Sequence, residues 1–144
     1  LKVFICGGAS VPPSLIREAA DYFKKAIVTR VYGSTEVPVT TVGVTDPDDV
    51  AHAAETDGRP GIASVRLAEG GSGEVLARGP QMLVGYVHAA DEETVFDADG
   101  YYRTGDTVER DENGCVTFVG RSDVLGGARF SLVWPRLKPA DPDL

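Results

Sequence analysis

The sequence predicts an α/β fold, a parallel βαβ unit followed by an antiparallel β subdomain. Three observations carry that prediction. Val3-Phe4-Ile5-Cys6 and Ile27-Val28-Thr29-Arg30-Val31-Tyr32 are short apolar runs suited to buried strands. Between them Leu15, Ile16, Ala19, Ala20 and Phe23 recur at helical spacing. Downstream the pattern changes to short β-rich runs broken by Gly, Asp and Asn.

The first strand stops at Gly7-Gly8. Ser10, Val11, Pro12 and Pro13 then open a helix over residues 13–26, with Pro in the first turn, where a missing N–H costs nothing. Strand, helix and strand with short joins make a right-handed crossover, so the two strands are parallel. Thr40 to Val44 is β-rich, and Asp46 to Gly61 is polar and reads as a surface loop. Ala63–Leu67 and Glu74–Arg78 read as strands joined by the turn Ala68-Glu69-Gly70-Gly71-Ser72-Gly73. Asp91–Phe96 reads as a short helix and Asp97-Ala98-Asp99-Gly100 as a turn. Thr107–Arg110 and Cys115–Val119 flank Asp111-Glu112-Asn113-Gly114 as a hairpin. There are no internal repeats.

Composition narrows the function classes. The chain has 144 residues, 42% apolar and 25% charged, with 17 Gly and 9 Pro, which fits one loop-rich globular domain. A formal charge of −8 leaves no basic face for a nucleic acid. No run of about 18 apolar residues is present, so no membrane span is expected. Cys6 and Cys115 lie far apart, and no charged-then-apolar leader opens the chain, so reduced thiols and a cytoplasmic location are expected. His52 and His88 have no Cys or carboxylate at metal-ligand spacing. No Ser has a His at hydrolase spacing. The chain opens at Leu1 without Met and ends in a Pro-rich tail without periodicity, so a piece of a larger or frameshifted protein is expected.

Three clusters could carry chemistry. Tyr32-Gly33-Ser34-Thr35-Glu36 follows a predicted parallel strand, and ligands of open α/β sheets bind beyond the carboxyl ends of strands. There Tyr32 could stack on a base, Gly33 could admit a ligand to the backbone, a hydroxyl could bond phosphate, and Glu36 could hold Mg²⁺. The alternative is an ordinary turn with capping hydroxyls. Tyr101-Tyr102-Arg103-Thr104-Gly105-Asp106 places a carboxylate after a Gly at a turn tip, suited to a vicinal diol or merely to capping the turn. Gly120-Arg121-Ser122-Asp123 places an Arg just after a strand, ready for a ribose or phosphate, or simply on the surface. Each cluster alone is weak.

The ordered series is far more specific. Gly7-Gly8-Ala9, Tyr32-Gly33-Ser34-Thr35-Glu36, Gly73-Glu74-Val75, Arg78-Gly79-Pro80, Tyr102-Arg103-Thr104-Gly105-Asp106 and Gly120-Arg121 together resemble the adenylate-forming (AMP-binding) superfamily. Asp57-Gly58-Arg59-Pro60-Gly61, Gly79-Pro80-Gln81-Met82 and Gly85-Tyr86 resemble its acyl-CoA synthetase branch most. The resemblance spans residues 1–123. It implies that residues 1–119 are the C-terminal part of a large AMP-binding domain, 120–128 a hinge and degenerate start of a small domain, and 129–144 an irregular tail.

It also implies roles and ligands. Gly8 and Ala9 would line the acyl pocket and the floor under adenine, Tyr32 and Gly33 would meet the adenine, and Thr35 would touch phosphate. Glu36 would hold Mg²⁺, Asp106 would grip both ribose hydroxyls, and Arg121 would bond the ribose. Thr35 and Glu36 are thus the catalytic candidates. ATP or AMP, a carboxylic acid and CoA would be the substrates, and the upstream half of the enzyme a partner. The reaction would be acyl-adenylate formation and then thioester formation.

The series also departs from the family. Its Ser/Thr/Gly-rich phosphate loop ending in Lys is not found in these residues, nor is Gly-x₄-Gly-Lys-Ser/Thr. Arg121-Ser122-Asp123 lacks the family's Lys-Asp pair, leaving Asp123 as the hinge candidate, and Lys138 has no claim to the adenylation lysine. The expectation is therefore a ligase segment inactive alone. A non-catalytic adenine-nucleotide-binding or interaction module, or an unstable remnant with exposed apolar surface, are the alternatives.

Overall fold

The computed structural model describes residues 1–70 and 73–121. Expectations for Asp123, the hinge beyond Arg121 and the tail fall outside the described residues.

Strand β1 (Val3–Cys6) pairs in parallel with β2 (Ile27–Arg30), Val3 opposite Ile27 and Cys6 opposite Arg30. Helix α1 (Pro13–Tyr22) crosses between them, with Pro12 at its N-cap and Pro13 in its first turn. It ends four residues before the expected Ala26. The Phe23 N–H caps the Ala19 carbonyl, and Ala26 N donates to Phe23 O, a tight turn that frees Ile27 to begin β2. Ile16 and Val28 bury between helix and sheet.

The polar stretch 46–61 is not a plain surface loop. Asp49 caps a helix α2 (Val50–Glu55), its carboxylate accepting from His52 N at 3.1 Å. Ala53 and Ala54 are small enough to bury against Ile16 and Val28. Strand β3 (Thr41–Val42) then pairs antiparallel with β4 (Arg59–Pro60).

The second layer is a four-stranded antiparallel sheet in the order β5-β6-β7-β8. Its strands are β5 (Ser64–Leu67), β6 (Glu74–Arg78), β7 (Tyr102–Arg110) and β8 (Val116–Arg121). The hairpin strands are longer than the sequence suggested. Asp106 therefore lies inside β7, not beyond a turn, and Arg121 closes β8 instead of following it. Gly105 at φ +68° permits this, because the strand passes through it without breaking. The helix expected over 91–96 is a single 3₁₀ turn at Ala89–Glu92, and Phe96 instead makes a β-bridge to Tyr102.

Two apolar cores result. One lies under the parallel unit. The other gathers Val75, Ala77, Tyr102, Val108 and Val116 of the antiparallel sheet around Tyr32 and Val37. The segment after β2 thus leaves its own core and inserts into that of the neighbouring sheet.

Candidate functional site

Tyr32 is the pivot. Its backbone is clamped by Thr41: Tyr32 N donates to Thr41 Oγ1 at 2.7 Å, and Thr41 N donates to Tyr32 O at 3.0 Å. Its ring, 8% exposed, stacks on Phe118 with centroids 6.4 Å apart and planes 18° apart. Its hydroxyl donates to Asp106 Oδ2 at 2.8 Å. Burial pushes the Tyr32 phenol far above its ordinary pKa, so it stays a donor.

Asp106 is buried on β7, and Arg121 faces it in register on β8. Arg121 Nη1 lies 3.1 Å from Asp106 Oδ1, and Nη2 donates to Thr104 O at 3.3 Å. Asp106 N donates to Thr104 Oγ1 at 3.1 Å, which fixes the strand beneath the carboxylate. Burial raises the Asp106 carboxyl pKa; the Tyr32 hydrogen bond and Arg121 pull it back, while Glu36 and Glu74 add to the rise. Glu36 and Asp106 thus lie close enough to feel each other's charge.

Glu36 is half-buried and accepts from the Tyr86 hydroxyl through Oε1 at 3.1 Å. The Tyr102 hydroxyl stands alongside Tyr86, whose own phenol pKa is raised, first by burial. The main chain of Glu36 is anchored too, its carbonyl accepting from Leu83 N at 2.8 Å. Thr35 is exposed beside it. Sequence reasoning read Tyr86 only as a branch marker; its spacing from a Gly carries no sign that it meets Glu36.

Gly33 is also required by packing. A Cβ there would stand 2.7 Å from Val39 N and 3.2 Å from Thr40 N, so the residue is small because the loop folds back on itself. Ser34 supports the same fold, its Oγ accepting from Val37 N at 3.1 Å. Gly8 and Ala9 follow β1 in the open, and Gly8 has φ +78°. No described contact links these two to Asp106 or Glu36. Two concavities lie elsewhere: one of about 320 Å³ beside Arg66 and Arg103, and one of about 370 Å³ beside His52 and Cys115. In the first of these hollows Arg66 and Arg103 are already committed to carboxylates.

His52 joins Asp49, at 3.0 Å through Nδ1, to Asp111, at 3.4 Å through Nε2, and so ties α2 to the β7–β8 turn. Cys6 and Cys115 are unpaired. Among the described residues no helix is long and apolar enough to cross a membrane.

A parallel βαβ unit whose exit segment carries Tyr32 and Glu36 into an antiparallel sheet bearing Asp106 and Arg121 defines the class of the adenylate-forming enzymes. The chain belongs to the AMP-binding enzyme family, whose model matches residues 1–87. It is 40% identical over 134 residues to triostin synthetase I of Streptomyces triostinicus, covering 85% of this chain and 25% of that protein. It is 32% identical over 145 residues to the medium-chain fatty-acid–CoA ligase of Escherichia coli, covering 91% of this chain and 25% of that one. Among solved structures, a malonyl-CoA ligase in a ternary product complex with methylmalonyl-CoA and AMP superposes with a TM-score of 0.66 at 30% identity. That match covers 83% of this chain and 27% of the ligase. The chain spans about a quarter of the length of the curated relatives it matches.

Proposed function

We propose that this chain forms the adenosine-binding face of a ligase that activates a carboxylic acid as an acyl-adenylate and transfers it to a thiol such as that of CoA. The observation that carries the reading is the convergence of Tyr32, Asp106 and Arg121, with Glu36 alongside.

A carboxylate has about four lone-pair sites. Asp106 has one oxygen occupied by Tyr32 and the other by Arg121, which leaves capacity on both for the two ribose hydroxyls. Arg121, 69% exposed in its side chain, reaches the ribose from above. Tyr32 gives one ring face to Phe118, and in this reading adenine would take the opposite side. Thr35 and Glu36 lie at the phosphate end, with Gly8 and Ala9 toward the acyl group.

The Glu36 carboxylate, a hard oxygen donor held by Tyr86, would hold a Mg²⁺ ion. Bound there, the ion would neutralise charge on the phosphates as the substrate carboxylate attacks the α-phosphorus and pyrophosphate leaves. In this reading the 144 residues alone bind the nucleotide and do not turn over: Arg121 is taken up by Asp106 and the ribose, and Thr35 and Glu36 bring no positive charge to the leaving phosphates.

Calorimetric titration with AMP tests the reading. Binding that disappears in Asp106→Ala is the expected result, and no heat with AMP or ATP would overturn it. Carboxylate-dependent pyrophosphate exchange by the 144-residue chain would overturn the claim that it is inactive alone.

A further inference from the structure

Arg30 and Asp57 form a buried ion pair, each with a side chain 9% exposed, beneath the site and outside every role given above. Arg30 uses its whole fork. Nε donates to Asp57 Oδ1 at 2.9 Å, Nη2 lies 2.7 Å from the same oxygen, and Nη1 donates to Ala54 O at 2.8 Å. The other carboxylate oxygen of Asp57 accepts from Phe118 N at 2.8 Å. The Asp57 backbone is equally committed, its N donating to Val116 O at 2.8 Å and its carbonyl accepting from the Thr41 hydroxyl.

These contacts end on the site from two directions. Thr41 clamps both backbone groups of Tyr32. Phe118 is the ring on which Tyr32 stacks, and its strand ends in Arg121 opposite Asp106. Stability does not account for such a pair. Replacing a buried ion pair by apolar residues of similar volume is often neutral or stabilising, because desolvation offsets the Coulomb gain. What apolar residues cannot supply is a directional lock between β2 and β8.

We propose that Arg30 and Asp57 are positioning residues that set the Tyr32–Phe118 stack and the Asp106–Arg121 pair for nucleotide binding. The proposal rests on the adenosine-binding reading above. Its physical core, that the pair holds β8 in place against β2, is measurable without any nucleotide.

The test uses the full chain in two variants. Arg30→Lys keeps the charge and loses the fork. Arg30→Met combined with Asp57→Leu keeps the volume and removes both charges, and serves if the first variant unfolds. In the folded variant, amide exchange at Phe118 and Arg121 should quicken about tenfold while Val28 and Thr29 keep their protection. AMP affinity should fall about tenfold in parallel, with the cooperative melting transition retained. Unchanged exchange at Phe118 and Arg121 overturns the proposal, as does faster exchange with AMP affinity intact. Should the unaltered chain bind no AMP, the adenosine reading fails by itself, and the exchange arm still decides whether the pair positions β8.

Discussion

Tyr32 and Asp106, 74 residues apart in the chain, meet in a 2.8 Å hydrogen bond inside the core of the antiparallel sheet. The bond joins the exit of the parallel unit to the middle of β7, so both halves of the molecule depend on it. Tyr32→Phe keeps the ring and its stack on Phe118 and removes only the donor. Leaving a buried carboxylate with one partner fewer should cost about 1–3 kcal/mol. Chemical denaturation at neutral pH checks this, and a variant as stable as the parent would show the bond to be idle.

The same carboxylate makes a pH prediction. Its pKa is raised above the ordinary aspartate value of 3.8, first by burial. The folded state therefore holds this proton more tightly than the unfolded state. Stability from this group is fully present below the ordinary value and is lost as pH climbs through the raised one. If Asp106 takes the ribose as proposed, binding runs the other way, because the ribose hydroxyls need the ionised acceptor. Adenosine, which carries no phosphate to confuse the titration, should bind more tightly as pH rises through the Asp106 pKa. Asp106→Asn should remove that step and weaken binding about tenfold or more, the equivalent of one hydrogen bond to a charged group at about 1.5–3 kcal/mol. An unchanged pH profile in the variant would place the titrating group elsewhere.

Apolar runs and turn residues made β1, β2, β5, β6 and the hairpin legible from sequence, because each is a local pattern. Helix α2 was hidden because its buried face is only Ala53 and Ala54, small residues within a polar stretch. The signal available was Asp49 three residues ahead of His52, a cap without an obvious helix behind it. The place of Asp106 inside β7 was hidden by Gly105, which reads as a turn but serves as a left-handed step within the strand. The candidate site residues stood out only as an ordered series. Their supports, Tyr86 on Glu36 and Arg30 on Asp57, arise from tertiary contacts that no spacing announces.

Gly33 and Gly8 should respond differently to Ala. At Gly33 the new methyl meets backbone nitrogen of Val39 and Thr40, which cannot step aside without opening the loop that carries Glu36. At Gly8 nothing lies within 4 Å of the added carbon, and only the φ of +78° resists it. Gly8→Ala should cost about 1–2 kcal/mol, the left-handed penalty alone. Gly33→Ala should cost clearly more and also weaken AMP binding. Thermal melts of the two variants measure the order, and equal losses would contradict the packing given for Gly33.

Arg121 separates binding from stability. Its ion pair with Asp106 is mostly in solvent on the Arg side, so screening leaves it little weight in folding. Arg121→Ala should change the denaturation midpoint by less than the Tyr32→Phe variant does, yet lower AMP affinity more. A large stability loss without a binding loss would make Arg121 a structural residue.

Tyr86 gives the sharpest test of the metal role assigned to Glu36. Its hydroxyl holds one Glu36 oxygen at 3.1 Å and is the only group of Tyr86 that does so. Tyr86→Phe keeps the ring in place and lets that carboxylate turn. If Glu36 serves Mg²⁺, the Mg²⁺ concentration needed for half-maximal ATP binding should rise several-fold, since second-contact partners commonly govern metal affinity by about 10–100-fold. AMP binding without Mg²⁺ should be unaffected if, as proposed, Asp106, Tyr32 and Arg121 hold the nucleoside. Titrating Mg²⁺ at fixed ATP in the parent and in Tyr86→Phe distinguishes the outcomes. Identical Mg²⁺ curves would remove Glu36 from the metal site, whereas a loss of AMP affinity would assign Tyr86 to the nucleoside instead.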